Sequence, residues 1–131
     1  MPLFYDYDKD GKKDLLIGSD GYYNHGDNEN YSRISYYKNT STAGKYSFEF
    51  ITDDFLALGG QKWKGAALAI GDLDNDTLDD LVIGRRDGTF AFFKNTAAAP
   101  NDEPIWQLTE DTLKDGRTGK GLTVGGYATP C

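Results

Sequence analysis

The hydrophobic residues of this chain come in short runs separated by turn-forming residues. No window carries apolar residues at i, i+3, i+4 and i+7 for long enough to predict a helix. The runs predict strands at residues 2–6, 14–18, 33–38 and 46–51, and again at 66–71, 80–84, 89–94 and 105–109. Two of them, 15–18 and 81–84, are apolar without alternation, which is typical of strands buried on both faces. The pattern predicts an all-β protein.

An internal repeat organises these strands. Residues 4–18 match residues 70–84 at an offset of 66, and residues 34–40 match residues 90–96 at an offset of 56. The extra residues of the first unit fall on the polar stretch 22–31, which we expect to be a surface loop. Residues 126–131 resemble residues 64–69, so a third unit begins there. Four-stranded antiparallel units that stack face to face are blades of a β-propeller. We therefore expect blades at 1–60 and 61–120 and the first strand of a following blade at 121–131.

Each predicted blade contains one acidic loop, at the same place in the repeat. Its pattern is Asp-x-Asp-x-Asp, then Gly or Thr, then x-x-Asp. Carboxylates at this spacing converge if the loop curls, and an all-oxygen set on a flexible loop favours Ca²⁺ over Mg²⁺. We predict two Ca²⁺ sites, one per blade. Their ligands would be Asp6, Asp8, Asp10, the carbonyl of Lys12 and Asp14, and then Asp72, Asp74, Asp76, the carbonyl of Leu78 and Asp80.

Other uses of such loops fit less well. A solvated acidic turn would leave four carboxylates repelling one another, and the pattern occurs twice. Catalysis by paired carboxylates is disfavoured because metal-bound carboxylates are poor general acids. An EF-hand needs Glu at loop position 12, where this chain has Ile17 and Ile83. Calcium repeats of the thrombospondin type are rich in Cys, and this chain has one Cys.

The acidic loop, with the apolar run and Gly that follow it, resembles the FG-GAP or VCBS repeat of integrin α-chain propellers and their bacterial relatives. The elements at 36–40 and 126–130 are similar to repeats of secreted Bacteroidetes-type proteins. The resemblance implies an extracellular or cell-surface propeller used for adhesion, ligand recognition or as a scaffold beside enzymes. One position departs from the family. Thr77 stands where the family has Gly, and a β-branched residue suits positive φ poorly, so we expect the second site to be weaker.

Composition excludes several functions. The chain has 14 Lys and Arg against 21 Asp and Glu, a net charge of −7, and no basic stripe for nucleic acid. Its single Cys, Cys131, forms no internal disulfide, and no apolar run is long enough to insert into a membrane. A single His, His25, gives a zinc site or a Ser-His-Asp triad little to build on. We therefore expect no catalysis. Residues 1–3 lead directly into a strand without a signal peptide, so the extracellular expectation depends on the resemblance.

Aromatic residues suggest a ligand surface. Sugar binding would use Tyr22, Tyr23, His25, Tyr31 and Trp63, although a solubilising loop and, for Trp63, packing between blades are the favoured interpretations. Three hypotheses for function remain: a calcium-binding module for glycan or protein recognition, a purely structural self-assembling repeat, and part of a calcium-dependent polysaccharide lyase or hydrolase. Two blades alone leave apolar sheet faces exposed, so we expect neighbouring blades from the same longer chain or from identical copies, as a trimer or tetramer.

Overall fold

Two four-stranded antiparallel sheets make up the fold, in a computed structural model that describes residues 1–21 and 30–131. The strands of the first sheet lie in sequence order: β1 (Pro2–Tyr5), β2 (Asp14–Gly18), β3 (Ile34–Asn39) and β4 (Phe48–Thr52). The second sheet repeats this order with β5 (Ala67–Gly71), β6 (Asp80–Gly84), β7 (Phe90–Asn95) and β8 (Trp106–Glu110). The predicted all-β class and the two four-stranded blades are confirmed.

The repeat extends to a shared irregularity. The pairing of β3 with β4 shifts register between Tyr36 and Tyr37. The pairing of β7 with β8 shifts between Phe92 and Phe93, the equivalent residues at the offset of 56. Such a bulge re-aims the residues beyond it. In each sheet, the residues after the bulge, at the end of the third strand, therefore lie next to the acidic loop in the same way.

The core lies between the two sheets. The first sheet contributes Leu16, Ile34 and Tyr36, and the second contributes Leu81, Ile83, Ala91, Phe93 and Trp106. The sheets approach closely at Gly18, where an added Cβ would lie 1.9 Å from the carbonyl oxygen of Ala66. No side chain fits at that distance, so glycine at this position allows the sheets to meet.

The two apolar runs differ in burial. Strand β6 is buried at all five positions, as predicted. The same prediction is wrong for β2, in which Leu15 and Ile17 are only partly buried. The reason is that the first sheet packs on the second with one face. On its other face Phe4 is 54% exposed and Phe50 is 56% exposed.

The chain after β8 crosses the end of the second sheet without forming a strand of its own. Lys114 and Gly121, and Thr89 and Thr123, form isolated bridges. Ala128 packs on Gly84 as Ala66 packs on Gly18, and an added Cβ at Gly84 would lie 2.1 Å from the Ala128 oxygen. Residues near 128 thus sit against the second sheet as residues near 66 sit against the first. Residues 121–131 contain no strand in this chain by itself, so their pairing as the first strand of a following blade remains a prediction, as does the division at 60 and 120.

A 3₁₀ segment, Phe55–Gln61, joins the sheets. Its Phe55 and Leu58 are buried in the core between them. Among the described residues, no helix has the length and apolar character needed to cross a membrane.

Candidate metal centres

The first acidic loop brings three carboxylates together between β1 and β2. One oxygen from each of Asp6, Asp8 and Asp14 lies within 4.8 Å of the others. The loop curls because its own amides bind its carboxylates: the Gly11 amide donates to Asp6 Oδ2 at 3.0 Å, and the Asp10 amide donates to Asp8 Oδ1 at 3.3 Å. The second bond is an Asx turn and the first spans five residues, and together they hold the loop in a tight curl.

The second loop repeats this arrangement between β5 and β6. One oxygen from each of Asp72, Asp74 and Asp80 again lies within 4.8 Å of the others. The Thr77 amide donates to Asp72 Oδ2 at 2.9 Å, where Gly11 donates to Asp6 in the first loop.

The last aspartate of each loop is fixed by the sheet. Asp14 and Asp80 are fully buried. Asp14 Oδ1 accepts a hydrogen bond from the backbone N–H of Asn39 at 2.8 Å. Asp80 Oδ1 accepts one from the backbone N–H of Asn95 at 2.9 Å. A buried carboxylate bound by amides is held in one orientation, so the end of the third strand aims these groups into the loop.

One carboxylate oxygen of the first loop receives no hydrogen bond from the described residues. Asp6 Oδ1 is buried and has no hydrogen-bond partner. A buried polar atom left unpaired is costly, and this one belongs to a residue of the convergent group. A bound divalent cation would satisfy it and would offset two of the three negative charges of the group. The residues present therefore fit a hard divalent cation.

A comparison with known protein families covers both acidic loops. The model of the FG-GAP-like repeat matches residues 6–83. This chain belongs to that family. The match runs from the first aspartate of the first loop to Ile83 in β6, so it includes both acidic loops. Searches of curated proteins and of solved structures found no match.

The predicted ligands Asp10 and Asp76 lie outside the two convergent groups of these FG-GAP-like loops. The amide of Lys12 donates to Asp10 Oδ1 at 2.9 Å and holds the pKa of Asp10 below its usual range. Lys94 and the amide of Leu78 do the same for the pKa of Asp76. Ligation by these two carboxylates, and by the carbonyls of Lys12 and Leu78, remains a prediction.

Sequence reasoning missed a lysine that binds each loop. Lys38 Nζ donates to Asp8 Oδ2, and Lys94 Nζ donates to Asp74 Oδ2 and, at 2.7 Å, to Asp76 Oδ2. Hydrogen bonding to these carboxylates raises the pKa of both lysines. Both stand in a repeated Lys-Asn pair, so the repeat itself was the signal that could have found them.

The backbone at Thr77 takes the conformation that the family pattern implies. Its φ is 75°, against 88° for Gly11 at the equivalent position of the first loop. The left-handed region disfavours residues with a Cβ, and β-branched residues most. The second loop is therefore closed by a strained residue where the first uses glycine.

The predicted ligand-binding residues divide into two sets. Tyr22, Tyr23 and His25 lie outside the described residues. Lys62 Nζ lies 5.8 Å from the Tyr31 ring centre. Trp63 is half-buried, with its ring centre 6.2 Å from that of Phe93 and 4.9 Å from Arg85 Cζ. These contacts agree with the packing interpretation of Trp63.

Proposed function

We propose that this chain is a calcium-stabilised, non-catalytic propeller module that serves adhesion or the recognition of a glycan or protein outside the cell. The observation that carries the calcium part is the pair of convergent carboxylate groups, one per blade, together with the unpartnered oxygen of Asp6.

Chemistry supports Ca²⁺ over other metals. The donors are oxygens on a loop that offers no Cys or His. Carboxylates select hard cations, and Ca²⁺ tolerates the irregular geometry of a short loop that Mg²⁺ does not. Full burial of Asp14 and Asp80 supports a binding role, because these carboxylates are held by the sheet and turned away from solvent.

An extracellular setting suits sites of this kind. Both loops already carry a lysine on a convergent carboxylate, and the second carries strain at Thr77. Both features lower the affinity of the acidic loops for Ca²⁺. Extracellular calcium modules work with dissociation constants of about 10⁻⁴ to 10⁻³ M, so weak sites are filled there.

A second candidate is a structural repeat whose partner is another blade. The exposed face of the first sheet carries residues that align with the buried face of the second. Leu15, Ile17, Tyr37 and Phe48 align with Leu81, Ile83, Phe93 and Trp106, which all pack in the core. A face of this composition fits a further blade, from the same longer chain or from an identical copy in a trimer or tetramer. Light scattering on the purified chain tests the second source, and a stable monomer would refute it.

Thermal unfolding with Ca²⁺ or with EGTA tests the metal. A ligand that binds only the folded state at a hundred times its Kd adds about 2.7 kcal/mol of stability, so the melting temperature should be higher in Ca²⁺. The matched variants are Asp6→Asn and Asp72→Asn, because Asn removes the charge and keeps one oxygen to accept the amide of Gly11 or Thr77. At Asp72 the change also gives up the 3.1 Å bond from the Asp76 amide to Oδ1. Each should lose about half of the calcium effect. Equal melting temperatures of the wild type in Ca²⁺ and EGTA would refute the proposal. A glycan array then separates recognition from a purely structural role.

A further inference from the structure

The lysines that bind the two acidic loops are placed by the same element that places the buried aspartates. Lys38 precedes Asn39 at the end of β3, and Lys94 precedes Asn95 at the end of β7. Because the amides of the two asparagines bind Asp14 and Asp80, the backbone beside each lysine is fixed relative to its loop. The ammonium contact with the loop is therefore built into the repeat.

Each lysine ammonium group forms an ion pair with one of the three converging carboxylates of its loop. Lys38 binds Asp8, and Lys94 binds Asp74. These carboxylates are ligands in the proposed sites. A positive charge there offsets the repulsion among the aspartates of a loop that holds no ion.

The two loops differ in how much they depend on this charge. In the first, Lys12 also lies 3.5 Å from Asp10, so the loop has two cationic contacts. In the second, the residue equivalent to Lys12 is Leu78, and Lys94 alone contacts both Asp74 and Asp76 among the described ion pairs.

We propose that Lys38 and Lys94 are internal counter-cations that hold the acidic loops closed without metal and compete with the divalent ion for the same carboxylates. The competition rests on the proposed calcium function. A dication that binds Asp8 or Asp74 gives up part of an existing ion pair, so its affinity is lowered. The effect is larger in the second loop, because Lys94 binds two carboxylates there. The lysines thus set the calcium affinity of each blade.

Charge-removing variants test this inference. Lys94→Met is measured in the Asp6→Asn background, so that calcium titration reports the second site, and Lys38→Met in the Asp72→Asn background reports the first. Each variant should have a lower melting temperature in EGTA than its background. Each should also bind Ca²⁺ more tightly by calorimetry, about tenfold for Lys94→Met and about threefold for Lys38→Met, in line with partly exposed ion pairs.

Two controls separate charge from position. Lys45→Met removes the same charge from an exposed turn between β3 and β4 and should leave the calcium affinity unchanged. Lys94→Arg keeps the charge and should restore the melting temperature in EGTA.

The possible outcomes distinguish the role of the lysines from the proposed calcium function on which it rests. If the wild type binds no Ca²⁺, the proposed function fails. If the wild type binds Ca²⁺ but Lys94→Met leaves both the affinity and the melting temperature in EGTA unchanged, the inference alone is refuted. A tenfold tighter site in Lys45→Met would also refute it, because the effect would then be one of net charge.

Discussion

The strained residue of the second loop gives the sharpest test of how sequence sets these sites. Thr77 has φ of 75° and an exposed side chain. Its amide holds Asp72, and that bond depends on the backbone and not on the side chain. Thr77→Gly should therefore remove the strain and keep the contact.

The magnitude follows from two opposing effects. An L-residue in the left-handed region costs about 1–2 kcal/mol. Glycine loses about 0.4–1 kcal/mol through the greater freedom of the unfolded chain. The net gain for Thr77→Gly is about 1 kcal/mol, or a melting temperature roughly 4 °C higher for a domain of this size.

The reverse change in the first loop is the matched experiment. An added Cβ at Gly11 would meet no atom within 4 Å, so Gly11→Thr introduces backbone strain without a clash and should cost about 1 kcal/mol. Gly44, in the turn before β4, has φ of 78° and equally open surroundings. Gly44→Thr therefore imposes the same strain away from both loops.

The assay is thermal unfolding in EGTA, followed by calcium titration of each variant. Thr77→Gly should raise stability and tighten calcium binding, and Gly11→Thr should do the opposite. Gly44→Thr should lower stability and leave calcium affinity unchanged. The reasoning is refuted if Thr77→Gly lowers the melting temperature, or if Gly11→Thr and Gly44→Thr change calcium affinity equally.

Three further predictions concern contacts that hold the sheets and the C-terminal segment in place. Gly18→Ala should destabilise the protein by at least about 2 kcal/mol, because its Cβ would lie 1.9 Å from the Ala66 oxygen and would force the sheets apart; a melting temperature like that of the wild type would contradict this. Gly84→Ala should release the C-terminal segment but keep both sheets, so limited proteolysis should trim the chain near residue 128 at a smaller loss of stability. Trp106→Phe removes the 2.8 Å bond from Nε1 to the Asp79 carbonyl and should cost about 1–2 kcal/mol in chemical unfolding, whereas Thr109→Ala, an exposed change on the same strand, should cost little.

Sequence reasoning went furthest where the structure is local. The eight strands were predictable because their apolar runs and turns repeat, and the acidic loops were predictable because a carboxylate spacing of two is itself a chemical pattern. The positive φ at Thr77 followed from its alignment with Gly11.

Contacts between distant segments were harder to predict. Nothing in the loop sequence says that Lys38 and Lys94 reach the aspartates, since both stand on the far strand of a hairpin whose register decides the contact. The partial exposure of β2 was missed for a related reason. An apolar run is compatible with burial on both faces, but the number of neighbouring sheets determines how many faces are buried.

The sequence by itself determined the repeat, the strands and the residues able to hold a cation, because these depend on spacing along the chain. The tertiary structure decided which carboxylates converge, leaving Asp10 and Asp76 outside the group, and it placed a lysine on each loop. These outcomes depend on the register of strand pairing and on the packing of one sheet against another. Both are set by residues far apart in the chain.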